Sequence, residues 1–252
     1  MRNYINVCLF LFSFGLSHGV FAGIIAENSR IIFDEGMNQQ SLMIANTNKY
    51  PIIVQTWIDN GDVNNTPEKT DAPFIVLPAV FKMNPNDTKG LRIMFKHQPL
   101  PDDRESLYWL NIYEIPPKHK STSDSVPELV VAMNTQMKIF YRPKALANQK
   151  VDLLSRLQFS ITQDKPDIIL NVTNPTGYYA SFSSIKLLVN GQDYKPEQKL
   201  DVMVSPQSSE QFVFKQLGSI SQGKNIDLTF MLIDDHGRSQ PGQRQNIPSS
   251  SD

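Results

Sequence analysis

The chain has 252 residues, 40% of them apolar, with 24 basic against 25 acidic side chains and one cysteine. That length admits one large β domain or two of ordinary size, and the near balance of charge leaves no electrostatic footprint for a nucleic acid. The cysteine, Cys8, falls in the leader described next, so the processed chain has no thiol. Disulfides and thiolate metal centres are thereby excluded, and a hydrophobic core must hold the fold together.

Met1 to Ala22 reads as a secretory signal: Arg2 near the start, the apolar run Val7 to Leu16, and Val20-Phe21-Ala22 as cleavage context before Gly23. The apolar run is shorter than the roughly 20 residues of a membrane span, so no membrane insertion of the mature chain is expected. Cleavage removes Arg2 and leaves 23 basic residues against 25 acidic ones.

Strand signals then recur at Ser29 to Phe33, Ser41 to Asn46, Ile52 to Ile58, Phe74 to Leu77, Leu91 to Phe95, Tyr108 to Tyr113 and Leu129 to Arg142. Polar turn clusters such as Asp59-Asn60-Gly61 and Asn84-Pro85-Asn86-Asp87 separate them. Short strands at this spacing predict a sandwich of the immunoglobulin type. In the last of the series, Leu129, Val131, Met133, Thr135, Met137, Ile139 and Tyr141 share one face. Val130 and Ala132 begin the other, so the run starts apolar on both sides. Periodicity alone leaves two readings open, a central sandwich strand or an apolar edge that templates pairing with another chain.

Lys144 to Lys150 lacks a pattern and marks a linker. A second series follows at Leu157 to Thr162, Ile168 to Thr173, Ala180 to Val189, Asp201 to Val204, Gln211 to Lys215 and Ile226 to Ile233, with Asn190-Gly191 as a hairpin turn. The expected organisation is a signal at 1–22, a first domain at 23–143, a linker at 144–150, a second β-sandwich at 151–238, and a Ser/Gln/Pro-rich disordered tail at 239–252. No stretch shows a sustained helical period.

Enzyme chemistry finds little support. His97, His119 and His236 are far apart, with no spacing of a metal helix or a triad. Asp234-Asp235-His236-Gly237 reads as a turn or a weak metal candidate, and Gly218 to Gly223 does not fit a nucleophile elbow. No catalytic residue, metal or cofactor is expected.

Four segments carry a family resemblance: Asn28-Ser29-Arg30-Ile31-Ile32-Phe33, Tyr108-Trp109-Leu110-Asn111-Ile112-Tyr113-Glu114-Ile115-Pro116-Pro117, Gln136-Met137-Lys138-Ile139-Phe140-Tyr141-Arg142-Pro143, and Asn174-Pro175-Thr176-Gly177-Tyr178-Tyr179. In this order they resemble the periplasmic chaperones of the chaperone-usher pilus pathway, the PapD-like family. The resemblance implies an all-β protein of two immunoglobulin-like β-sandwich domains arranged as a boomerang, located in the periplasm. Its implied partners are pilus subunits and an outer-membrane usher.

The resemblance also implies roles for particular residues. Leu129, Val131 and Met133 would form a donor strand that completes a pilus subunit lacking its last strand, while the opposite face, Val130 and Ala132, packs on the chaperone's own core. Arg30 and Lys138 would bind the carboxylate at the C-terminus of that pilus protein. Arg142, Glu105 and Asp235 would form interdomain ion pairs, with Asp234 as a neighbouring candidate for the last. Leu77-Pro78-Ala79 has one proline where relatives often have two, and the segment between Pro117 and Leu129 lacks cysteine, as in the short-loop branch. The alternatives are a secreted two-domain adhesin or binding module, and a periplasmic hydrolase.

Overall fold

The structure, a computed structural model, describes residues 23–62, 65–117, 131–147, 152–164, 166–217 and 225–248. The leader, Leu129, Val130, His119 and the Gly218 to Gly223 stretch lie outside these residues.

Nine strands build the first sandwich: β1 (Ile24–Ala26), β2 (Arg30–Asp34), β3 (Gln39–Asn46), β4 (Ile52–Asp59), β5 (Phe74–Leu77), β6 (Val80–Met83), β7 (Thr88–Phe95), β8 (Ser106–Ile115) and β9 (Met133–Arg142). One sheet has the order β1-β3-β7-β5 and the other β2-β9-β8-β4-β6. All pairings are antiparallel except β2 with β9, which run parallel. Alternate residues of both sheets face inward, and Phe33, Leu42, Val54, Leu91, Leu110 and Ile139 are fully enclosed between them. The Leu77–Pro78 peptide bond is cis.

The second sandwich has β10 (Gln158–Asp164), β11 (Asp167–Asn174), β12 (Ala180–Val189), β13 (Gln192–Tyr194), β14 (Met203–Val204), β15 (Ser208–Phe214), β16 (Ile226–Ile233) and β17 (Ser239–Arg244). Sheet β10-β11-β15 faces β13-β12-β16-β17, with β14 added to β12. Period-two burial is complete along β11 and β16, where each inward residue is buried and each outward one is not. Phe212, Phe214, Leu170, Leu187 and Phe230 form the separate core that makes this a second unit.

Two sequence expectations need correction. Ser239 to Arg244, Ser-Gln-Pro-Gly-Gln-Arg, has no apolar residue, and disorder is the expectation for it. Instead it forms β17 along β16, and Ile247 beyond it joins the core. Pro241 is tolerated because β17 is an edge strand whose outer side meets no other strand among the described residues. Gly242 is required by contact, since a Cβ there would lie 2.3 Å from the Phe230 ring. The second correction concerns the linker, whose first residues form a short helix, α1 (Lys144–Ala147). Four residues have no helical stability in water; this turn is fixed by burial of Leu146 and by the Tyr178 hydroxyl, which donates to the Leu146 carbonyl at 2.5 Å. A second turn, α2 (Leu153–Arg156), leads into β10.

Candidate functional site

The parallel register of β2 and β9 sets Arg30 directly beside Lys138. Neighbouring strands lie about 4.8 Å apart, so the two cations project from one face of the sheet. A cleft of about 570 Å³ opens where that face meets the second sandwich, lined by Arg30, Phe140, Tyr179 and Asp235 among others. Arg30 lies over the Phe140 ring and donates one hydrogen bond to the Ile233 carbonyl at 3.3 Å. Its buried Nε–H has no hydrogen-bond partner. Burial pushes the guanidinium below its ordinary pKa, opposed by the charges of Asp235, Asp234, Glu105 and Asp201. It remains a cation.

Lys138 has a partner that no sequence pattern indicated. Its ammonium meets the Asp201 carboxylate of the second sandwich at 2.5 Å and sits 5.0 Å over the Trp109 ring. Asp201 lies in the irregular stretch before β14, where nothing in its neighbours marks it as an ion-pair residue.

Also lining the cleft, Arg142 at the end of β9 is held by two carboxylates. It donates to Glu105 from Nε at 2.8 Å and makes a two-pronged contact with Asp235 at 2.6 and 2.9 Å. Asp234 turns away. Its oxygens accept the backbone N–H groups of His236 and Arg238 and pair with the Arg238 guanidinium, closing the turn after β16. Glu105 also accepts the Tyr179 N–H at 2.8 Å, while its own N–H donates to the Gly177 carbonyl. The first sandwich therefore grips the Thr176 to Tyr179 turn of the second through both side chain and backbone. Burial raises the Glu105 carboxyl above its usual range, with Arg142 pulling the other way. At Arg142, burial acts downward, but the hydrogen bonds to Asp235 and the charge of Glu105 prevail and hold the guanidinium above its ordinary value. The two ends differ because Arg142 is shared by two carboxylates, whereas Glu105 is the more enclosed.

The strand β9 has two unlike halves. From Lys138 to Arg142 it is flanked by β2 and β8. From Met133 to Met137 it pairs with β8 only, and its other backbone edge faces no strand among the described residues. On the odd face, Met137, Ile139 and Tyr141 are in the core, whereas Val131 is 61% and Met133 51% exposed. These two continue the core face beyond the point where the opposing sheet covers it. The expectation that Ala132 packs inward is overturned: it is exposed, and its face is the outer one. There Asn134 and Gln136 both donate to Asn111, at 2.9 and 2.8 Å, and Asn111 donates on to Asp59. This polar ladder fixes the parity of the strand. An outward face carrying it leaves Val131 and Met133 as the exposed large apolar side chains of the described strand.

Two family profiles span most of the chain: the pili and flagellar-assembly chaperone, PapD N-terminal domain, over residues 23–147, and the pili assembly chaperone PapD, C-terminal domain, over residues 152–244. The chain belongs to the PapD-like pilus-assembly chaperones. Similar curated relatives include the chaperone protein FimB/FhaD of Bordetella pertussis, 30% identical with 88% of this chain and 87% of that protein covered. The probable fimbrial chaperone YadV of Escherichia coli is 31% identical, over 90% of this chain and 92% of its own. Among solved structures, the Pseudomonas aeruginosa CupB2 chaperone is 31% identical and superposes with a TM-score of 0.68, covering 87% of this chain and 99% of that one. This chaperone, like its family, is not an enzyme. Among its described residues no helix is long and apolar enough to cross a membrane.

Proposed function

We propose that this chaperone captures pilus subunits in the periplasm by lending them the first half of β9, then passes them to an outer-membrane usher. The observation that carries the reading is the edge of β9 that no described strand covers, beside exposed Val131 and Met133. An edge with unpaired N–H and C=O groups and an apolar row adds a strand readily, and chaperone–pilin complementation is an established instance of that mode. Leu129, outside the described residues, belongs to the same row by sequence alternation. Each of these side chains contributes about 1.5–3 kcal/mol when fully buried.

The column next to β9 also dictates polarity. The chaperone's own β2 fills it from Arg30 onward, running parallel to β9. A pilin strand entering the same column in the same direction would end at Arg30 and Lys138. Its terminal carboxylate then meets two cations, one with an unused N–H, and charge-assisted bonds of this kind contribute about 1.5–3 kcal/mol. Fixing the terminus fixes register, because a slip of one residue would turn every side chain to the other face. Arg142, Glu105 and Asp235 hold the two sandwiches in the orientation that forms the cleft. No nucleotide is required, since the bound pilin can exchange this strand for one that fits it better.

Val131→Glu tests the reading. The variant should stay folded, because its side chain is exposed, and should lose the pilin in periplasmic co-purification, because a charge enters an apolar slot. Retention of pilin at the wild-type level would overturn the donor-strand role.

A further inference from the structure

Glu114, near the end of β8, is 5% exposed, and one of its carboxylate oxygens, Oε1, has no hydrogen-bond partner. No lysine, arginine or histidine among the described residues forms an ion pair with it. The other oxygen, Oε2, accepts from Asn48 Nδ2 at 3.1 Å. A buried carboxylate with half its acceptor capacity unused is costly.

What faces that oxygen is Gly23, the residue expected to become the first of the processed chain. A Cβ on Gly23 would lie 3.2 Å from Glu114 Oε1, and its φ of +120° is one that residues with a side chain rarely adopt. Gly23 is buried and held at both ends. Its N–H donates to Asn48 Oδ1 at 3.0 Å, and its carbonyl accepts the Thr47 N–H at 3.0 Å and the Thr47 hydroxyl at 2.7 Å. Asn48 is itself fixed by its N–H to Asn46 Oδ1. The site therefore has a rigid frame, one spare anionic acceptor, and a backbone nitrogen whose single proton is already committed.

We propose that Glu114 is the docking site for the α-ammonium group that leader removal creates on Gly23. Hydrolysis of the Ala22–Gly23 peptide bond by a leader peptidase consumes one water, leaving a carboxylate on the departing Ala22 and an ammonium on Gly23. That nitrogen then has three protons where the peptide had one. One continues to Asn48, and the others supply the donor and the positive charge that Glu114 Oε1 lacks. An α-amino group with an ordinary pKa near 7.7–8.0 is mostly protonated at neutral pH.

The pair has a consequence for the strand edge. Glu114 is the cross-strand partner of Met133, the first residue of β9, and Gly23 leads into β1 on the facing sheet. Processing would thus tie the two sheets together beneath the start of the open edge, completing the first sandwich only in the exported chain. The inference rests on the position of cleavage and not on the identity of the client.

The test is a cycle on the full-length processed chaperone. Thermal midpoints are measured for the chain beginning at Gly23 and for the same chain extended by two serines, each with Glu114 and with Glu114→Gln. In the wild-type background the extension should lower the midpoint by roughly 2–4 °C. With Glu114→Gln the extension should cost no more than about 1 °C, and this non-additivity is the signature of the pair. An equal loss in both backgrounds would mean a steric effect, and no loss in either would mean no contact; both overturn the proposal. A second measurement needs no variant: amine acylation of Gly23 in the native processed chain should be at least about tenfold slower than in the same chain unfolded in urea. Equal rates would also refute it.

Discussion

Lys138 and Asp201 belong to different sandwiches, yet their side chains meet at 2.5 Å. Lys138 is the cation expected to receive the terminal carboxylate of a pilin, so Asp201 stands where that ligand group would go. The Asp201 side chain is 35% exposed, which limits the pair to about 0–1 kcal/mol. An internal carboxylate of that strength should yield to a ligand that makes further contacts.

Asp201→Asn should therefore leave thermal stability within a few degrees of wild type and tighten pilin binding by up to about fivefold. Lys138→Ala and Arg30→Ala should leave the fold intact and abolish capture. Titration of each purified variant with a peptide matching the carboxyl end of a pilin measures this. Weaker binding by Asp201→Asn would show that the carboxylate assists the ligand instead of competing with it.

The three ion-pair residues of the cleft wall should differ in cost. Arg142→Met leaves the Glu105 carboxylate buried with no cation and should destabilise by about 3–5 kcal/mol. Asp235→Ala removes a partner that is 51% exposed and should cost about 0–1 kcal/mol. Urea denaturation of both variants decides the matter, and equal losses would mean that Asp235 and Glu105 share the guanidinium evenly.

Glu105 also makes a prediction about pH. Burial raises its carboxyl in the folded chain above the ordinary 4.5, so the native state binds the proton more tightly than the unfolded one. Stability from this group is then fullest below about pH 4.5 and is lost as pH rises through the raised value. The unfolding free energy of wild type minus that of Glu105→Gln should accordingly fall between pH 4 and the raised value and then level off. A difference that grows with pH over this range would place Arg142, not burial, in control of the carboxyl.

Much of this protein is local in its causes and was legible in the sequence. Alternating runs such as Ile226 to Ile233 dictate strands because period two is a property of the backbone, and the absence of a mature thiol means that hydrophobic burial must hold the fold together. The family resemblance pointed to Arg30, Lys138, Arg142 and Glu105 as residues of the domain junction, and the parallel pairing of β2 with β9 sets the first two side by side. What lacked a local cause was not legible. Ser239 to Arg244 has no apolar pattern because its strand is held by β16 and by the space a glycine leaves for Phe230. Alternation separates Ala132 from Val131 and Met133 without saying which face is inward. The Asn134, Gln136 and Asn111 ladder made that choice. Asp201 and the opposition of Gly23 to Glu114 join residues far apart in the chain, across a domain boundary in one case and between facing sheets in the other. Sequence determined the strands, the cores and the cations; only packing decided which carboxylate meets which charge, because such a contact depends on how two independently formed surfaces come to rest against each other.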